Sequence, residues 1–156
     1  MEDLKQTDIS ITTMSKGFTL LEVILSLATI TALAGISLPI YQSFQVRNDL
    51  DIAAVTIAQN IRRAQVLAQA SDGDTSWGVR TQSGNIILFK GVSYTARDIS
   101  FDELFDLQNS ITTSGTTEIV FAKFSGLPQT TGTLTLTSNI NETRTITINT
   151  KGMVAY

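Results

Sequence analysis

Cysteine and histidine are both absent from the 156 residues. Without cysteine there is no disulfide framework, no thiol nucleophile and no thiolate zinc site. Without histidine the commonest general base, the usual partner of a catalytic serine and the commonest metal ligand are missing. Charge is scarce as well. Asp, Glu, Lys and Arg make up 16% of the chain, against about 25% in an ordinary globular protein. The net charge of −3 leaves no basic surplus to hold a polyanion. Hydrophobic residues reach 42%, too many for a wholly disordered chain. The length admits one domain of ordinary size, not two. Lack of cysteine leaves the compartment open. The distribution of apolar residues says more.

Residues 1–17 are polar, carry Glu2, Asp3, Lys5, Asp8 and Lys16, and have no sustained helical period. They read as a leader. Residues 18–41, FTLLEVILSLATITALAGISLPIY, hold a single charge, Glu22. A helix of that length rises about 36 Å, enough for a hydrocarbon layer of about 30 Å. The residues that follow could not enclose it on all sides as a buried soluble helix. A cleaved secretory signal would have an apolar region of about 7–15 residues with its small-residue cut site beyond it; here Gly17 lies before the run. Pro39, with Gly35 just ahead of it, predicts a kink over residues 35–39. Glu22 sits five positions into the run, close to one face of a bilayer. There the cost of a carboxylate is smaller and the helix N-terminus favours an anion.

The segment Gly17-Phe18-Thr19-Leu20-Leu21-Glu22-Val23, preceded by Lys16 and opening an apolar helix, resembles the class III leader junction of type IV pilins and pseudopilins. Pro39 also falls where many of that family carry a helix-kinking proline. The resemblance implies a prepilin peptidase that cuts between Gly17 and Phe18 and methylates the new amine of Phe18. It also implies that Glu22 neutralises the Phe18 amine of a neighbouring subunit during assembly. Such an ion pair is strong in a low dielectric and costly if left half-made. One departure concerns orientation. The leader has only Lys5 and Lys16 against Glu2, Asp3 and Asp8, with Arg47 beyond the run, so the positive-inside bias is small. Cytoplasmic placement of the leader rests on the resemblance.

Beyond Pro39 the pattern becomes amphipathic, with Ile57, Ile61, Ala64 and Ala68 at spacings of four, three and four. One long helix is predicted from about 19 to 70, ending at Asp72-Gly73-Asp74. From residue 76 the period is two. Segments 77–80 and 85–90 flank Gln82-Ser83-Gly84 as a hairpin. Residues 93–117 stay open between a short helix and a surface loop. Their stretch 98–106 gathers Asp98, Asp102, Glu103 and Asp106, in principle a calcium cluster but without the glycine-centred spacing of an EF-hand. Residues 118–124 form a strand broken by Ser125-Gly126-Leu127-Pro128. Residues 133–137 and 143–148 alternate, with Leu134, Leu136, Ile146 and Ile148 inward and threonines outward. Asn139 to Glu142 make the turn, and a short strand follows Gly152. The order of a Phe strand, Gly126, a two-strand ladder and Lys151-Gly152-Met153-Val154 resembles the GspH/FimT-type minor pseudopilins.

The fold class expected is therefore α+β, a long N-terminal helix on a small antiparallel β domain. Its divisions are leader 1–17, membrane and filament-core helix 18–41, amphipathic helix 42–72 and extracytoplasmic β-rich domain 73–156. No catalytic residue, cofactor or metal is assigned. The expected function is that of a minor pilin or pseudopilin in a type II secretion or type IV pilus system. Its partners would be the prepilin peptidase, other pilins and the cytoplasmic (inner) membrane as a single pass. The assembled filament would lie in the periplasm or at the cell surface. A DNA-uptake pilin that binds nucleic acid, a major pilin and a membrane-anchored β module outside any filament are the alternatives. The cations beyond residue 70 are diluted by acids and lack interleaved aromatics, which counts against nucleic acid. An enzyme would need Asp102, Glu103 and Asp106 to line a cleft.

Overall fold

The computed structural model describes residues 17–156, with side chains of 36–40 excepted. Helix α1 spans Leu20–Gln69. The chain divides into two units, one ending at Ile40 and the other running Tyr41–Tyr156. In the first unit every described side chain from Phe18 to Gly35 is exposed. In the second, α1 buries Leu50, Ala53, Ala54, Ile57, Ala58, Ile61, Ala64 and Ala68, one stripe at steps of three and four. The alanines in it let strands approach the helix axis closely.

Two four-stranded antiparallel sheets cover that stripe. The first contains β1 (Trp77–Gln82), β2 (Asn85–Gly91), β3 (Arg97–Asp106) and β5 (Glu118–Phe121), in the order β3-β2-β1-β5. The second contains β4 (Ile111–Gly115), β6 (Gly132–Ser138), β7 (Thr143–Ile148) and β8 (Val154–Ala155), in the order β4-β6-β7-β8. Both inner faces join the helix stripe in one core, with Val79, Ile86, Leu88, Ile119 and Phe121 from one sheet and Leu134, Leu136, Ile146 and Ile148 from the other. The inward set predicted for β6 and β7 is the set observed. Gln82 pairs with Asn85 across Ser83-Gly84, as the hairpin signal requires.

Two stretches differ from expectation. The open segment 93–117 is neither helix nor plain loop. It supplies β3 and β4, joined through buried Leu107 and Ile111. β3 has only β2 for a neighbour, and its register shifts between Leu88 and Lys90; an edge position and a bulge both blur the two-residue period. The strand expected over 118–124 stops at Phe121. Ala122 to Gly126 turn instead, with Phe124 at φ 65 and Gly126 at φ 60. That turn aims the Phe124 N–H at the Ala68 carbonyl, 3.0 Å away, which also accepts the Ser71 N–H at 3.1 Å at the end of α1. The loop after it runs back along β5, with Gln129 N–H bonding to Val120 O at 2.8 Å and Phe121 bridging to Pro128.

Phe121 is fully buried between α1 and the sheet. Phe121→Ala is expected to lower unfolding free energy by about 3–5 kcal/mol, measured by urea denaturation. Gly115, at φ +85 with its missing Cβ aimed at the Thr133 carbonyl, should tolerate alanine no better than it tolerates strain. Gly115→Ala should lower the urea midpoint, whereas Gly35→Ala, in open space, should leave it unchanged.

Candidate functional site

The N-terminal end of α1 is built from a short extended lead-in and a cap. Gly17, Phe18 and Thr19 precede the helix. Thr19 Oγ1 accepts the Glu22 N–H at 3.2 Å, and Thr19 O accepts the Val23 N–H at 3.2 Å. This is an N-cap, which removes one unsatisfied donor from the helix end. It fixes where the helix begins, and thereby places Glu22 in its first turn, where the helix dipole favours a carboxylate. Phe18 is 82% exposed. A Cβ added at Gly17 would meet no atom within 4 Å, so packing among the described residues gives no reason for glycine there.

Three further hydroxyls in this stretch turn back onto their own helix. Ser26 Oγ donates to Glu22 O at 2.6 Å, Thr29 Oγ1 to Leu25 O at 2.8 Å, and Thr31 Oγ1 to Leu27 O at 2.7 Å. Each is thereby satisfied without water. Glu22 is the only charged residue between Lys16 and Arg47, and its carboxylate has no partner among the described residues. Around it run exposed Phe18, Leu20, Leu21, Val23, Ile24 and Leu27. The structure thus presents one carboxylate on an otherwise apolar, internally satisfied rod. Gly17 and Phe18 were marked by the resemblance to a pilin leader junction, and Glu22 both by that resemblance and as the one charge in the apolar run; the Thr19 cap and the back-bonded hydroxyls were not singled out, although their signal is a Ser or Thr four residues after an available carbonyl. Gly35 is exposed helix. Pro39 lies within α1, among the residues whose side chains are not described and next to the boundary between the two units, so the bend expected there is not tested. Among the described residues no helical stretch is by itself long and apolar enough to cross a membrane; the apolar sequence continues through 36–40.

The acidic segment 98–106 resolves differently. Asp102 is held by Arg97 Nε at 2.8 Å, and Glu103 by both Arg63 terminal nitrogens at 2.6 Å. Asp98 accepts Ser100 Oγ at 2.6 Å and Ser100 N–H at 3.1 Å. Among the described residues no group of three or more acids is placed to hold a metal. Asp98, Asp102 and Glu103 serve β3 and its tie to α1, while Asp106 lines a separate notch with Asp49 and Gln108. Arg62 and Arg63 also part company. Arg63 binds Glu103, while Arg62 lies 5.4 Å from the Tyr156 ring centroid.

The architecture is pseudopilin-like: a long helix whose second half carries a small antiparallel β domain. The minor pseudopilin EpsH of the type 2 secretion system of Vibrio cholerae superposes with a TM-score of 0.52 at 14% identity. The match covers 69% of this chain and 94% of that one. At that identity the likeness establishes the fold. No family model matches the sequence, and no curated protein matches it.

The Ser100 hydroxyl, with the Ser100 N–H behind it, holds the Asp98 carboxyl below its ordinary value. A depressed folded pKa stabilises the fold above the unfolded pKa of about 3.9 and loses that contribution as pH falls through the folded value. Urea midpoints measured from about pH 5 to about pH 2 should therefore drop less for Ser100→Ala than for the parent chain.

Proposed function

We propose that this protein is a structural subunit, of minor pilin or pseudopilin type, in a type IV filament system. The observation that carries the reading is the first half of α1. Among the described residues it is an apolar helix whose side chains from Phe18 to Gly35 are exposed, its hydroxyls bonded internally and its one carboxylate in the first turn. Such a surface asks for an apolar medium or for other helices. The pseudopilin-like fold supports the same reading.

In this reading residues 1–17 are removed by a prepilin peptidase at Gly17, the Phe18 amine is methylated, and residues 18–41 hold the chain in the cytoplasmic membrane until it enters a filament. Glu22 then pairs with the Phe18 amine of the neighbouring subunit, giving register that apolar contact alone lacks. Gly17, with no packing role of its own, suits a narrow protease subsite. Type II secretion is the system favoured, because the structural neighbour is a minor pseudopilin of such a system. The GspH/FimT-type C-terminal pattern supports minor-subunit status without choosing between secretion and pilus systems.

Intact-mass measurement of the protein from membranes tests the processing. The expected chain begins at N-methylated Phe18 and is lost in cells without the peptidase; a chain that still begins at Met1 in peptidase-positive cells would overturn it. Glu22→Ala should leave processing unchanged. It should cut co-purification with filaments by more than about a hundredfold, since one half of an ion pair stranded in an apolar setting costs about 3–5 kcal/mol. Unaltered incorporation would instead favour a simple membrane anchor.

A further inference from the structure

The two ends of the Tyr41–Tyr156 unit differ in charge. Around α1 residues 65–69 the connections carry Asp72, Asp74, Lys123 and Lys151. The Gln65 side chain, bonded to the Gly126 and Lys151 carbonyls, and the Phe124 N–H on Ala68 tie that end to the helix. Around α1 residues 47–56 the connections are 83–84, 108–110 and 139–141. They consist of Ser, Gly, Gln, Asn and one Ile, and none is charged. The Leu107 N–H on the Gly84 carbonyl at 2.9 Å and the pairing of Ile111 with Ser138 gather them at one end.

What this end exposes is apolar. Tyr41 and Phe44 are 69% and 66% exposed, three residues apart and so on one side of the helix. Ile140, in the turn between β6 and β7, is 46% exposed. Arg47 meets Glu142, and Asp51 meets Arg144. The first two are about 6 Å apart along the helix from the second, and about 6.6 Å along the strand. β7 therefore runs alongside α1, and the turn before it extends past Arg47 toward Phe44. Arg47 stands only about 9 Å of helix beyond Tyr41. Half a turn after Arg47 comes Asp49, which lines a notch with Asp106. Neither of these acids has an ion-pair partner among the described residues.

Tyr41 also closes the apolar run that opens at Phe18. Beyond its hydrocarbon a bilayer has a headgroup layer about 5–7 Å deep on each side, and tyrosine concentrates there. We propose that the phospholipid headgroup layer covers this end of the β domain, with Tyr41, Phe44 and Ile140 in it and the uncharged connections at its surface. The charge fits a zwitterionic phospholipid. Such a headgroup holds its ammonium outermost, where the carboxylates of Asp49 and Asp106 can meet it. Arg47 is already neutralised by Glu142, which leaves no cation at this end to hold an anionic lipid. The domain is then seated on the bilayer and not merely tethered above it, so entry into a filament has to lift it off. The inference rests on the membrane-held stage of the filament-subunit reading.

The chain has no cysteine, so a nitroxide can be placed on one introduced thiol. Full-length Ile140→Cys, Leu127→Cys and Ile30→Cys chains, labelled and reconstituted in vesicles of phosphatidylethanolamine and phosphatidylcholine, compare this end, the opposite end and the apolar run. Spin relaxation by a neutral water-soluble nickel chelate and by oxygen reports the surroundings of each label. At residue 140 nickel access is expected to be several-fold below that at residue 127, with oxygen access above it. Phe44→Ser should raise nickel access at residue 140 several-fold. Equal nickel access at 140 and 127, with residue 30 shielded, would overturn the seating and leave the membrane reading intact. Shielding of residue 140 from both reagents would mean cover by protein and would also overturn it. Free nickel access at residue 30 would overturn the membrane reading, and the seating with it.

Discussion

The β domain depends on one stripe of helix, Leu50 to Ala68, packing against two sheets at once. Each sheet has one apolar face to bury, and the stripe supplies part of the cover for both. The stripe serves both because it alternates bulk with alanine. Leu50, Ile57 and Ile61 fill the space between the sheets, while Ala53, Ala54, Ala64 and Ala68 keep the helix close. A larger residue at the alanine positions would push one sheet off the common core. The end of the stripe is held in place by the 122–126 turn, which spends a strained Phe124 backbone to meet the Ala68 carbonyl.

Charge fixes how the helix is rolled on that core more than it adds stability. Arg47 and Asp51 reach the β7 side, and Arg63 the β3 side. All three pairs are partly or largely exposed, so each adds little to stability. A one-residue slip of α1 would turn it by about 100° and break all three together. Arg97 behaves differently. It is largely covered, pairs with Asp102, and lies 3.8 Å from the Tyr94 ring centroid, pinning the strap that precedes β3 across the outer face of the first sheet.

What could be read from sequence followed from periodicity. The helix stripe, the β1–β2 hairpin and the β6–β7 ladder each repeat cleanly, and each stands where its period placed it. The division into two sheets was not legible, because β5 joins β1 and β4 joins β6, and no local pattern encodes a pairing across so many residues. β3 was obscured by five charges in ten residues and by its bulge. At the N-terminal site, Glu22 stood out as the one charge in an apolar run, and Gly17 and Phe18 only through the resemblance to a pilin leader junction. The Thr19 cap was hidden because a threonine next to an apolar run reads equally well as part of it.

The back-bonded hydroxyls of Ser26, Thr29 and Thr31 carry a consequence for motion between environments. A helix that leaves no side-chain hydroxyl unpaired there loses nothing polar when one apolar surrounding replaces another. Between lipid tails and packed helices there is also no hydrophobic driving force. Transfer of this rod is then close to thermoneutral along most of its described length, and reversible. Direction has to come from elsewhere: from the single carboxylate of Glu22 finding a cation, or from work done on the protein by machinery outside it.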